Sequence, residues 1–423
     1  MRCKLGFLNL QCGTVKQSKR LTDLSSMNSI RITRTAKLPD PLRISRYRKA
    51  PELGPAILFL SGGSALNNVS RILKNHTYNS THLITPFDSG GSSAKLRQAF
   101  NMPAIGDLRS RMIALADESV TGHPEVYQLF TYRLANAERN SVLSKQLDQM
   151  IQGKYPMVES ISNPMRRLIR NQLGYFRDSM PGNFDLRGAS IGNLILTGGY
   201  LNNHRHLDPI VFLFSKLVGV LGTVRPIVND NLHLAADLQD GSRIFGQHRI
   251  TGKETAPLQS PIKRLRLSGH PDKLVPANSE IRKKTRKLIS KAELICYPPG
   301  SYYSSLIANI LPDGVSAAIA CVDRPKVYVP NLGRDPEQIG MTLEQCVIKL
   351  LEYLRPGIAA GCRNEDLLNF VLLDSNNGDY PSSLPLSKIE KLGIKVIDTR
   401  LVTKRSAPHY DPELLVHALL SLT

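Results

Sequence analysis

Short apolar runs separated by glycine- and serine-rich turns organise the middle of this chain. "AILFL" at 56–60 is a continuous apolar run of the kind a strand buried on both faces presents. "SGGSALNN" (61–68) follows as a turn, and "NNVSRILKN" (67–75) has helical spacing. The same order returns in "THLITPFD" (81–88), "SGGSS" (89–93) and "AKLRQAF" (94–100). Between 279 and 322 helix, buried strand, turn, helix and strand follow one another through "AELICYPPGSYYSSLIANIL". Such a series predicts an α/β fold, a mainly parallel sheet with helices on its faces.

Residues 109–185 carry apolar positions at helical spacing and predict a helical excursion from the α/β unit. In "HLDPIVFLFSKLVGVLG", Asp208 and Pro209 suit the cap and first turn of a long helix. Residues 224–268 alternate and contain turn signals, which predicts a small antiparallel ribbon. Residues 340–423 read as a C-terminal α/β part of one domain spanning 54–423. Residues 1–53 lack sustained periodicity and read as an extension that packs on the domain near its end.

Composition narrows the class. With 41% hydrophobic and 21% charged residues, the 423-residue chain matches a soluble globular protein. Its longest apolar stretch, 210–222, falls short of the ~18 residues a membrane helix needs and contains Lys216. Six cysteines without a CxxC pair argue against a disulfide framework or zinc site and for a reducing, cytoplasmic setting. The net charge of +20 is uneven: residues 1–50 hold twelve Lys/Arg against Asp23 and Asp40. This basic arm reads either as a binding segment for nucleic acid, membrane or an acidic partner, or as a solvated leader.

In an open α/β sheet, ligands sit beyond the carboxyl ends of the strands, where backbone N–H groups and helix starts attract anions. Three turns here carry unusual residues. Gly62 and Gly63 permit close approach of a phosphate, with Ser64 and Asn67 at the helix start. Gly300, Ser301, Ser304 and Ser305 offer a second cradle. The middle turn adds charge, since Asp88 at a strand end suits magnesium, an ion that takes one or two carboxylates plus waters and phosphate oxygens. Asp107 is the second carboxylate, or else caps the helix beginning at Leu108 and pairs with Arg111. Lys95, Arg97 and Arg109 supply cations nearby. Asn193, in an apolar and buried segment, needs a partner from backbone or ligand. The S-x-x-K match at Ser92–Lys95 lacks the partner motifs of a serine acyl-enzyme, and His204 and His206 read as loop residues.

The ordered set "LSGGSALNNVSRIL", "ITPFDSGGSSAKLR", "MPAIGDLRSRMIALAD", "RGASIGNLILTG", "AELICYPPGSYYSSLIANILPDGV" and "VYVPNL" resembles the 2-phospho-L-lactate transferase-like family (CofD/YvcK-like, UPF0052). The resemblance runs from about Pro55 to about Leu354, and the "GGSALN" form is similar to a CofD-related subgroup in the bacterial gene cassettes called GAK systems. It implies a Rossmann-like three-layer α/β/α fold, often a homodimer. It also implies either a magnesium-dependent transferase using a nucleotide diphosphate donor, or a YvcK-like regulator of carbon use and cell wall that binds a UDP-sugar. Carried over by motif, Gly62, Gly63 and Ser64 would approach the phosphates, and Asp88 and Asp107 would hold the metal. Asn193 would point into the cleft; in an enzyme of this kind Arg109 or Lys95 would steady the leaving nucleotide, and Asp88 is the candidate base for the acceptor hydroxyl. Gly300, Ser301 and Ser304 would line the nucleotide side, with Asn331 near its base or sugar. The usual glycine-richer first loop and the acidic pair after the second strand are reduced here to "GGSAL" and to Asp88–Ser89.

Overall fold

The computed structural model describes residues 35–119, 122–252, 255–358, 360–381 and 384–423; the basic arm up to residue 34, expected above to bind a partner or to be a solvated leader, lies outside them. Seven strands form one parallel sheet: β1 (Ile57–Ser61), β2 (Thr81–Ile84), β3 (Thr223–Pro226), β7 (Leu294–Tyr297), β8 (Lys326–Tyr328), β9 (Phe370–Leu373) and β10 (Lys395–Asp398). Their order across the sheet is β10-β9-β8-β7-β1-β2-β3. Every residue of β1, β2 and β7 is buried, Thr81 and His82 of β2 included, as helices on both sheet faces require.

The chain runs outward from β1 through β2 to β3, then returns to place β7 on the other side of β1. The loops after β1 and β7 therefore leave in opposite directions and open a crevice between them, the general position of ligands in open α/β sheets.

Between β2 and β3 the helical excursion comprises Gly106–Ala114, Pro124–Thr131, Asn140–Gln152, Pro156–Glu159, Met165–Ser179, Ile191–Asn202 and Leu207–Leu217. It has its own core and continues past residue 185, to Leu217. Asp208 does not cap its last helix: the cap position is His206, while Asp208 pairs with Arg225 and lies 3.8 Å from Arg282. The antiparallel ribbon starts later than expected, because residues 223–226 are the edge strand of the main sheet. It consists of β4 (His233–Leu238), β5 (Arg243–Phe245) and β6 (Ile262–Ser268), in the order β5-β4-β6.

Residues 40–43 are hydrogen-bonded to the last residues of the chain. Asp40 caps the helix Pro41–Lys49, its own N–H donating to Ser421 Oγ at 2.9 Å, and Arg43 donates to the carbonyls of Ser421 and Thr423.

Candidate functional site

The turn after β1 is built around two glycines and one buried arginine. A Cβ on Gly62 would fall 2.3 Å from Ser305 Oγ in the turn after β7, so only glycine lets the two loops meet. Arg111, on the helix Gly106–Ala114, is fully buried and donates to the carbonyls of Gly62 (3.3 Å) and Gly63 (3.0 Å) and to Ser70 Oγ (2.6 Å). Burial lowers its pKa to about 9, against the opposing pull of Asp107. With the carbonyls tied, the turn's remaining hydrogen-bonding groups are the N–H donors of Gly62, Gly63 and Ser64, which meet no backbone acceptor among the described residues.

The turn after β2 repeats the device. Arg97 donates to the carbonyls of Phe87 (3.2 Å) and Asp88 (3.0 Å), and also to Asn231 and Leu232. Burial lowers its pKa to about 10, with Asp88 opposing. Asp88 Oδ1 accepts from Gly90 N at 3.0 Å, which directs the chain into the helix Gly91–Phe100.

Asp88 and Asp107 face the same space. Both line a cavity of about 410 Å³ with Ser64, Ser92, Arg109, Asn193 and His248, and a second of about 250 Å³ with Gly62, Gly63, Ser301 and Ser305. The capping alternative for Asp107 does not hold: the helix begins at Gly106 after Ile105, no side chain caps it, and Asp107 stands in its first turn. A Cβ on Gly63 would come 3.0 Å from Asp107 Oδ1, and one on Gly106 would come 3.7 Å from Asp88 Oδ2. Two carboxylates fit magnesium, which keeps waters and takes phosphate oxygens. No group of three or more His, Cys, Asp or Glu that could hold a metal occurs among the described residues.

The turn after β7 differs from its expected role. Its amides are taken by the protein's own carboxylates: Tyr302 N donates to Asp335 (2.9 Å), and Tyr303 N and Ser304 N donate to Glu337 (2.6 and 2.8 Å). Ser304 Oγ also donates to Glu337, so Ser304 is turned away from the crevice and Ser305 lines the cavity instead. Asn331 exchanges hydrogen bonds with Gly300 at 2.6 Å and reaches Asp335; it fixes the turn and does not line the cavities. Gly300 and Ser301 do line the crevice. Glu337 is buried, which raises its pKa to about 7 with help from Asp335 and against the Ser304 and Tyr303 donors.

Asn193 is 1% exposed, lines the larger cavity, and leaves Oδ1 without a partner while Nδ2 donates to Ser92 Oγ at 3.3 Å. Arg109 lies beside it and donates to Ser190 Oγ. Burial and the nearby Arg133 lower its pKa to about 10. Lys95 stands further out, paired with Asp185 at 2.8 Å, and does not line the two cavities that hold the aspartates. Asn67 donates to Ser110 Oγ at 2.9 Å, joining two helices, and does not line the cavities.

Several site residues went unassigned in the sequence. The short helix Gln247–Ile250 of the ribbon brings Gln247 and His248 over the larger cavity, and His248 Nδ1 lies 2.8 Å from Ser89 Oγ. Gly246, at φ +88, leaves room for that ring: a Cβ there would be 2.9 Å from His248 Cε1. The "FGQH" turn carried the only sequence signal, a glycine preceding a polar pair.

A parallel sheet with a glycine turn and two carboxylates at its switch point places this crevice where open α/β proteins hold their ligands. The description "2-phospho-L-lactate transferase CofD" matches residues 57–402, and the chain belongs to that family. It is similar to the gluconeogenesis factor of Bacillus subtilis strain 168, 26% identical over 377 residues, covering 87% of this chain and 98% of that protein. The gluconeogenesis factor of Listeria monocytogenes is 28% identical over 282 residues, covering 66% and 68%. A UPF0052-family crystal structure from Bacillus halodurans superposes with a TM-score of 0.63 at 22% identity, over 87% of this chain and 99% of that one, which establishes the shared fold. The family match extends beyond Leu354, where the sequence resemblance was traced, to residue 402.

Proposed function

We propose that the protein is a magnesium-dependent transferase that moves a phosphate-linked group from a nucleotide diphosphate donor to an acceptor hydroxyl. The observation that carries this is the facing of Asp88 and Asp107 into one space beside a glycine turn whose carbonyls are tied off by Arg111. Gly62, Gly63 and Ser64 receive the diphosphate through their N–H groups, and Asp88 and Asp107 hold the cation. Magnesium there spreads the charge that develops on the diphosphate. The acceptor oxygen forms the new bond to phosphorus, the bond from that phosphorus to the bridging oxygen breaks, and the nucleoside monophosphate leaves. His248, oriented by Ser89 through Nδ1, takes the acceptor's proton on Nε2.

A second reading is a YvcK-like regulator that binds a nucleotide-sugar without turnover. It is favoured by the relatives named gluconeogenesis factors and by the lining of the two inner cavities, where no Phe, Tyr or Trp offers a shelf to a flat acceptor such as a deazaflavin. Calorimetry with GDP and UDP-N-acetylglucosamine, with and without magnesium, tests both readings. Asp88→Asn is expected to abolish the gain in affinity that magnesium confers, and wild-type behaviour in that variant would sink the metal assignment. Release of nucleoside monophosphate from a diphosphate donor favours the transferase, and tight UDP-sugar binding without release favours the regulator.

A further inference from the structure

The helix Leu343–Leu354 presents two stripes. Leu343, Cys346, Val347, Leu350, Leu351 and Leu354 are buried, at the i, i+3, i+4 spacing of a core-facing surface. Gln345, Ile348, Lys349 and Glu352 repeat that spacing beside it and line a cavity of about 430 Å³. The other walls are the start of β6 at Ile262 and Lys263, the segment 339–341, and Tyr303 of the turn after β7. This cavity shares no lining residue with the two that hold Asp88 and Asp107.

Two tyrosine hydroxyls fasten the ribbon around this space. Tyr303 Oη donates to the carbonyl of Ile262 at 3.2 Å, and Tyr353 Oη accepts from Leu265 N at 2.7 Å. Ile339 and Met341 are partly buried against the core, and Ile348 is 36% exposed, so the floor is apolar and incompletely covered. The charges do not cancel. Lys349 is paired with Glu352 at 2.6 Å, whereas Lys263 has no carboxylate within ion-pair distance among the described residues. Gln345 Oε1 accepts from Thr342 N at 2.8 Å, which leaves its Nε2 donors over. An unmatched cation and spare amide donors beside an apolar floor complement an acid joined to a hydrocarbon body, and the volume is that of a small-molecule site.

We propose that this cavity is a second ligand site, taking a small organic acid with an apolar body: its carboxylate on Lys263, its hydrocarbon part across Ile339, Met341 and Ile348. A bare inorganic anion would leave the apolar floor wet, and a neutral hydrocarbon would make no use of Lys263. The site stands apart from whatever the crevice after β1 binds.

Calorimetry with octanoate, acetate and 1-octanol tests it directly. Acetate carries the charge without the body and octanol the body without the charge. The wild-type protein is expected to bind octanoate about ten-fold or more tightly than either. Lys263→Glu, at an exposed position, is expected to weaken octanoate about ten-fold or more with an unchanged melting temperature and unchanged octanol binding. Ile348→Asp should weaken octanoate and octanol together. Failure of the wild-type protein to bind octanoate at millimolar concentration overturns the proposal, and so does acetate or octanol binding as tightly. Octanoate affinity that is unchanged in Lys263→Glu or in Ile348→Asp places the acid elsewhere and overturns it too. Nucleotide titrations on the same preparations fail separately, because the cavity at Gly62 and Gly63 contains neither Lys263 nor Ile348.

Discussion

The turns after β1 and β7 stand side by side at the switch point, both rich in small residues, yet they are tied in opposite senses. After β1 a buried guanidinium holds carbonyl oxygens and leaves amide donors over. After β7 two carboxylates hold the amide donors of Tyr302, Tyr303 and Ser304, so those three amides are not free for a ligand. A glycine-serine turn at a strand end therefore binds an anion only where its amides are not already satisfied from inside. The partner beneath the turn decides this, and the small residues in it do not.

The most damaging way to break this comparison is Arg111→Met. It strips the donors from two carbonyls and from Ser70 in a buried site, at a cost of about 3–5 kcal/mol in urea unfolding. Nucleotide affinity should fall even where the protein still folds. Gly62→Ala comes next, because its methyl group meets Ser305 Oγ. A loss of about 1–3 kcal/mol is expected, and Gly62→Ala with Ser305→Ala should recover part of it in a double-mutant cycle.

Glu337 sharpens the other half of the comparison. Its folded pKa of about 7 lies above the ordinary 4.5, so folding takes up a proton between those values. Its contribution is fully present below about pH 4.5 and is lost as pH rises to about 7. A proton on Oε1 turns the Ser304 contact around and leaves both amide bonds on Oε2. Glu337→Gln should therefore flatten the melting temperature across that window, and an unchanged slope would show that Glu337 folds ionised. The smallest effect is expected at Lys95. Its exposed pair with Asp185 is worth less than about 1 kcal/mol, and Lys95→Ala should leave magnesium-dependent nucleotide binding as it is.

Much of the sheet was legible because β1 and β7 are buried on both faces and mostly apolar, while β2 keeps Leu83 and Ile84 beside the buried Thr81 and His82. That Asp88, Gly62 and Gly63 lie at strand ends beside one crevice was legible from the turn pattern, while Asp107 joins them from the first turn of the helix Gly106–Ala114. Arg97 and Arg111 were not legible as supports: a cation on a short helix resembles a solvated one until its depth is known, and depth is a tertiary property. The choice between Ser304 and Ser305 turned on the phase of one wide helical turn, set by Glu337 more than thirty residues away. His248 meets Ser89 across 159 positions, a pairing only the folded ribbon creates. Asp208 failed as a cap because ion pairing with Arg225 outcompeted the helix terminus.

The helix Pro41–Lys49 is fastened to the last residues of the chain through Asp40, Arg43, Ser421 and Thr423. Tension applied between residues 40 and 423 would therefore load this clasp before it reached the sheet. In a single-molecule pulling experiment the first rupture should report the clasp, with the crevice between the turns after β1 and β7 still assembled behind it.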